Sequence, residues 1–293
     1  MKLTKRRTGV ALAVLMAMGI AALPQAAYAA IWTRLPSYST WTGTTALERA
    51  QGVATDNTYF YYSGNYGLAK ATIANDTEVA SSLSAIPNAL ASTYGINHIG
   101  DIDYYGGYVI APLEDGSSYS HPLLALYDTN LNYTGRYVQL PLPLMPGGVP
   151  WVAVDAAAGL VYTAPWSQDA TQGTNRLVAY SLQDLLTLPA GSLLPVVKTV
   201  TLSRPLSRIQ GATMLNGLLY ASVDISGDKS VYSIDPVSGA VTWQFHQDVQ
   251  PNDEVQGITA VDLGLTGGQL HILNVGSGWK SIFVYFQHYA ITG

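Results

Sequence analysis

Cysteine is absent from all 293 residues, which excludes disulfide staples, thiolate metal sites and a cysteine nucleophile. Phenylalanine is scarce, four residues against 20 tyrosines, so aromatic packing falls to rings that carry a hydroxyl. The chain contains no Gly-x-Ser-x-Gly elbow and no His-Glu-x-x-His, and so lacks the signatures of serine hydrolases and zinc proteases. Beyond the first 30 residues no run is long and apolar enough to span a bilayer. Helical patterning is also sparse: Leu182 to Leu188 reads as one short helix before Pro189, while Ile86 to Asn97 and Leu142 to Pro150 read as loops.

The first 29 residues read as a secretory signal peptide. Lys2, Lys5, Arg6 and Arg7 precede an apolar stretch from Val10 to Leu23, and Ala27-Tyr28-Ala29 offers a small-x-small cleavage site. The apolar stretch falls short of the roughly 20 residues of a spanning helix. The expectation is therefore a secreted or periplasmic protein of residues 30–293, with no membrane insertion once the leader is removed. Taking those four basic residues from the 14 Lys and Arg leaves ten against 19 Asp and Glu, a net charge of −9. Such a surface repels phosphate backbones, so nucleic acid is not an expected partner. A mature chain of this length buries a large core as one all-β domain, and a monomer is expected.

What is present is a repeat. Five apolar segments open alike: Gln51-Gly52-Val53-Ala54, Ile99-Gly100-Asp101-Ile102, Trp151-Val152-Ala153-Val154, Gln210-Gly211-Ala212-Thr213 and Gln256-Gly257-Ile258-Thr259. Each leads into a second β-rich run (Tyr59 to Ser63, Tyr108 to Leu113, Leu160 to Pro165, Leu218 to Val223, Leu270 to Val275). A third follows each (Leu68 to Ile73, Leu123 to Tyr127, Leu177 to Ser181, Ser230 to Ile234, Ser281 to Phe286). Fourth runs follow in four units: Val79 to Leu83, Gly135 to Leu140, Val196 to Leu202 and Ala240 to His246. Stacks of four strands every 50 residues or so predict an all-β fold, a single five-bladed β-propeller. The fifth unit lacks an outer strand, and Ile31 to Ser39 is expected to supply it, closing the ring with the N-terminal strand. Asp155 to Gly159 and Asp235 to Gly239 read as blade turns.

In a propeller the starts of the innermost strands gather around the axis. Gly52, Gly100, Gly211 and Gly257 suit backbones crowded there. Their neighbours Gln51, His98, Asp101, Trp151, Arg208, Gln210, Glu254 and Gln256 come from all five blades and are expected to converge at one mouth, as a ligand site. Asp101 and Asp103 alternate onto one strand face, where two carboxylates either hold a cation such as calcium, share a proton, or simply bind backbone amides. Asp101 and Glu254 are the candidate acid and base pair. Tyr59, Tyr108, Tyr162, Tyr220 and Tyr232 fall in strands, as packing between blades requires. Tyr94, Tyr104, Tyr105 and Tyr119 fall outside the inner packing positions and are candidates for stacking on a sugar or peptide. The ligand expected at the mouth is a small molecule, peptide or glycan of small or extended polar character, and no reaction is assigned.

Gln51-Gly52-Val53 followed by Ser63-Gly64-Asn65-Tyr66-Gly67 resembles blade one of the secreted five-bladed glutaminyl cyclases (glutamine cyclotransferases), which convert an N-terminal glutamine to pyroglutamate. His98-Ile99-Gly100-Asp101 is similar to that family's Phe-Gly-Glu-Gly segment, and the resemblance implies that Asp101 would be the proton shuttle. Leu219 to Val223 with the Asp235-Pro236 turn resembles the family's fourth blade. The chain departs from the pattern in two places. Aspartate stands where the family has glutamate, and Ile209-Gln210-Gly211-Ala212 carries no carboxylate where the family has Asn-Glu-Leu-Glu. An enzyme of that type, or a calcium-dependent hydrolase, is the alternative to a binding protein.

Overall fold

The computed structural model describes residues 30–167, 173–225, 227–278 and 282–293. The leader reading falls on residues 1–29, outside the described residues. Five antiparallel meanders stand around one axis, and the protein is a five-bladed β-propeller. Blade one is Gly52–Thr55, Tyr59–Ser63, Leu68–Thr72 and Glu78–Ser82, from the axis outward. Blade three runs from Ala153–Asp155 to Val196–Leu206, and blade four from Ile209–Leu215 to Val241–His246. Blade five has Glu254–Ala260, Leu270–Val275 and Phe283–Ile291, and its outer strand comes from the other end of the chain. Trp32–Arg34 and Ser39–Thr42 both pair antiparallel with Phe283–Ile291. This closes the ring as the repeat predicts, with the closing strand broken in two and carried on to Thr42.

Alternating apolar residues on strands buried on both faces create five inter-blade layers rather than one central core. Blades three and four enclose Trp151, Tyr162, Leu177, Leu219 and Tyr232. Blades one and two enclose Tyr61, Leu68, Ile99 and Leu123, and blades five and one enclose Phe60, Tyr62, Leu273 and Phe286. Tyr59, Tyr108 and Tyr220 also belong to these layers.

Leu182–Thr187 is helical, capped by Ser181, whose hydroxyl accepts from the Asp184 amide at 3.1 Å. Three details differ from the sequence reading, the first a single 3-10 turn, Leu142–Leu144, inside the stretch read as the loop Leu142 to Pro150. Asn88–Tyr94, read as loop, is a two-turn helix that buries Leu90 and ends on Gly95 at φ 71°. Blade two gains Ser192–Leu193, a short parallel strand on its outer edge contributed by the insertion that follows blade three's helix. Among the described residues no helix is long and apolar enough to cross a membrane.

Candidate functional site

Blade two departs from its neighbours where the axis is narrowest. Its inner strand is split into His98–Ile99 and Asp103–Tyr105, both paired with Tyr108–Glu114. The residues between leave that ladder, and Asp101 bridges to Trp151 of blade three. Asp101 N donates to Pro150 O at 2.9 Å, and Val152 N donates to Asp101 O at 3.1 Å. Its carboxylate crosses the axis. Oδ1 accepts from Val53 N (2.9 Å) of blade one, and Oδ2 accepts from Ala212 N (3.1 Å) of blade four and Ile258 N (3.4 Å) of blade five. One residue thus joins all five blades. The ladder irregularities at Ile209/Gly211 and between Val255 and Ile258 lie beside these donors.

The glycines at the openings have a geometric reason. A Cβ on Gly211 would stand 2.3 Å from Asp101 Oδ2 and 2.6 Å from Gly257 Cα, and one on Gly257 would stand 2.6 Å from Gly52 Cα. Backbones in such contact close the channel at this level. Asp101 is fully buried, and that burial pushes its carboxyl well above the usual range, against the three amide donors that pull the other way. Asp103 is held in the same manner, by Val154 N and Tyr104 N, both at 2.7 Å. Burial raises it to about 7. Both carboxylates spend their oxygens on backbone amides, and among the described residues no cluster of three or more ionisable ligands is placed to hold a metal.

Above this seal lies a pocket of about 380 Å³ to which every blade contributes. Of the expected site residues, Gln51, His98, Gln210 and Glu254 line it. His98 Nε2 and Gln51 Oε1 are 3.2 Å apart. His98 Nδ1 stands 3.0 Å from Glu114 Oε1 but off the line of a hydrogen bond. Glu114 is itself fixed from behind, its Oε2 accepting from Val149 N at 2.8 Å. Gly148 at φ 99° makes that approach possible, since a Cβ there would fall 2.0 Å from Glu114 Oε2. On the opposite wall Gln210 Nε2 donates to Glu254 Oε1 at 3.1 Å. Burial, then the Asp224 charge, pushes Glu254 up, while Arg208 and Lys229 oppose them.

The remaining expected residues lie elsewhere. Asp101 sits beneath the floor. Trp151 is fully buried between blades three and four, so it belongs to the core rather than to the mouth. Gln256 is buried and does not line the pocket. Arg208 stands behind the wall: its Nη2 reaches Asp224 Oδ2 at 3.0 Å and Glu254 Oε1 at 3.6 Å, and its guanidinium lies 5.7 Å from the Trp166 ring. It positions Glu254 and Trp166 without reaching the cavity.

The lining that sequence reasoning missed comes largely from turns, with Glu114 added at the end of the second strand of blade two and Asn97 and Pro150 just before inner-strand openings. Asn65 and Tyr66 occupy the turn between the second and third strands of blade one, Gly116 the corresponding turn of blade two, and Trp166 follows the second strand of blade three. In an up-and-down blade that turn returns to the face where the inner strand begins, and this was the available signal. Tyr119 does line the pocket, at φ 53°. Tyr94 instead pairs with Tyr137, their hydroxyls 2.9 Å apart. Tyr104 stacks on Tyr61 at 8° between planes, and Tyr105 packs against the layer between blades two and three.

No family model matches the chain, and no curated protein matches it. Among solved structures it is similar to a gluconolactonase from Xanthomonas campestris, at 10% identity over 87% of this chain and 91% of that one with a TM-score of 0.47. A chain of the nidogen/laminin complex gives 11% identity, 83% and 86% coverage and a TM-score of 0.49. The WD40 propeller domain of Doa1 gives 11%, 81%, 78% and 0.41. None of these three is a glutaminyl cyclase. The likeness stops at the propeller architecture and says nothing of what the pocket holds.

Proposed function

We propose that the protein is a binding β-propeller that holds a small polar, hydroxyl-rich ligand of saccharide type in the pocket above Asp101. The observation that carries this reading is the chemistry of the lining. Carboxamides from four positions (Gln51, Asn65, Asn97, Gln210) and the carboxylates Glu114 and Glu254 surround one concavity, with the rings of Tyr66, Tyr119 and Trp166 at its walls. Carboxamides both donate and accept, as hydroxyl groups do, and aromatic faces cover the C–H face of a sugar ring. Two wall carboxylates disfavour an anionic ligand.

The enzymatic alternative of glutaminyl cyclase type needs a base in contact with substrate. Asp101, which the resemblance assigns to that task, is fully buried and holds three amides. Glu254 lines the pocket with Glu114, but Asp101 does not join them there, so the acid and base pair of Asp101 and Glu254 has no support in this arrangement and binding is favoured over proton relay.

Saturation-transfer NMR on the mature chain, with panels of mono- and disaccharides and of short peptides including one that begins with glutamine, tests this. Saccharide signals that disappear in Gln51→Ala and Gln210→Ala support the reading. A panel without any binder, or release of ammonia from the glutamine peptide, overturns it.

A further inference from the structure

The face opposite the mouth carries a second cavity of about 390 Å³, between blades one and five. The turn holding Asn75 and Asp76, and the segment Leu263 to Gly268 between the first two strands of blade five, both lie at the strand ends remote from Gln51. Phe60, Leu263 and Phe286 form its apolar wall, and Asn75, Asp76 and His288 its polar wall. Nothing in the axial pocket reading uses these residues.

His271 and His288 are direct cross-strand partners in blade five, with their Nδ1 atoms 2.8 Å apart. His271 Nε2 lies 3.0 Å from Val261 O. A carbonyl only accepts, so His271 Nε2 carries the proton. Burial holds His271 down at about 3 and His288 at about 4, so both rings are neutral at pH 7. A neutral ring has one N–H. His271 Nδ1 is therefore an acceptor, His288 Nδ1 donates to it, and His288 Nε2 is left as a bare lone pair. That nitrogen has no partner among the described residues and is not sealed from solvent. The chain Val261 O, His271, His288 fixes both tautomer and ring orientation, as a backbone carbonyl does for a metal-binding imidazole.

The charges around the cavity select the ligand. Asp76 is already engaged: Oδ2 accepts from Trp41 Nε1 at 2.9 Å and Oδ1 from Arg49 Nη1 at 3.2 Å. Arg49 is buried behind Trp41 and Tyr62 and does not line the cavity. Ser37, Ser39, Thr266 and Asn75 in the lining both donate and accept, while Asp76 is the one charged group and no cation lines the cavity, so anions are disfavoured and a donor finds an acceptor at His288.

We propose that this cavity is a second binding site for a small aromatic or aliphatic molecule whose hydroxyl or amine donates to His288 Nε2, its apolar body lying against Phe60, Leu263 and Phe286. Phenol is the probe, toluene its apolar control and benzoate its anionic control. Long-range ¹H–¹⁵N spectra of the histidine side chains at pH 7 are expected to show His288 Nε2 unprotonated and shifting saturably with phenol. Toluene should bind roughly tenfold more weakly, the worth of one hydrogen bond, without moving that nitrogen, and benzoate should not bind. His288→Phe keeps a ring and removes the acceptor, and should bring phenol down to the affinity of toluene. Ala74→Trp fills the cavity from an exposed turn and should abolish binding of both, keeping the test decisive should His288→Phe not fold. A protonated Nε2, no saturable shift in the wild type, undiminished phenol affinity in folded His288→Phe, or any phenol binding in folded Ala74→Trp overturns the proposal.

Discussion

Replacing Asp101 by asparagine keeps the shape of the side chain and changes two things, the number of acceptors at the axis and the buried titratable charge. The carboxylate satisfies Val53 N on one oxygen, and Ala212 N and Ile258 N on the other. An amide oxygen serves one side only. In the better orientation it keeps Ala212 and Ile258, and the Val53 N–H then faces the amide NH₂. A buried donor left unpaired costs about 1–3 kcal/mol, and two such donors face each other there. Relief of the buried charge offsets part of this, so we expect a net loss of about 2–4 kcal/mol at neutral pH. The sign of the pH dependence follows from the raised carboxyl. The folded state holds its proton more tightly than the unfolded state, so wild-type stability from this group falls as pH rises from the ordinary carboxyl range through the raised value. Asparagine does not titrate, so the deficit of Asp101→Asn is largest in acid and shrinks as pH rises. Asp101→Ala orphans all three donors, about 3–9 kcal/mol against a total of about 5–15, and should leave little folded protein. Asp101→Glu pushes a methylene into a space bounded by Gly52, Gly211 and Gly257 and should cost about 1–3 kcal/mol. Urea unfolding followed by tryptophan fluorescence measures each. An Asp101→Asn variant within about 0.5 kcal/mol of wild type would refute the axial tie, since only substitutions away from such features are that mild.

Trp151→Ala should lose about 3–5 kcal/mol in the same assay while ligand affinity of the folded fraction stays unchanged, because the ring fills the layer between blades three and four. Gln51→Ala should leave the melting temperature in place and weaken a pocket ligand by about 0.5–1.5 kcal/mol in calorimetric titration; an unchanged affinity would remove Gln51 from the site. Calcium should not raise the melting temperature, as Asp101 and Asp103 spend their oxygens on amides, and a rise that grows with calcium concentration would show a site that this geometry does not contain. Because His271 and His288 are held at about 3 and about 4, their contribution is complete above pH 6.5 and is lost as pH falls toward 4. The wild-type stability curve minus that of His288→Phe should slope accordingly, and a flat difference from pH 7 to 4 would contradict the neutral pair.

The blade count was legible because strand period and small-residue openings recur with each blade, and ring closure was legible because blade five lacked a strand that Ile31 to Ser39 could supply. Which residues face the pocket was less so. The strand starts announced Gln51, His98, Gln210 and Glu254, yet alternation within one opening cannot say how deep each side chain lies. Trp151 and Asp101 therefore looked like mouth residues, while packing put the indole between blades and the split of blade two turned the carboxylate into the axis. Asn65, Tyr66 and Trp166 escaped because they sit in turns, where no hydrophobic period marks them. The His271 and His288 pair left no motif at all. Their 17-residue separation becomes a contact only through the pairing register of blade five.

Amide chemical-shift mapping of the wild-type chain with a saccharide that binds it tests the central claim most directly. The account predicts perturbations grouped at the mouth, at Asn65, Asn97, Gly116 and Gln210 from blades one, two and four, with Asp76 and His288 on the far face unmoved. Perturbations confined to the blade edges or to the far face, or no binder among the saccharides, would contradict it.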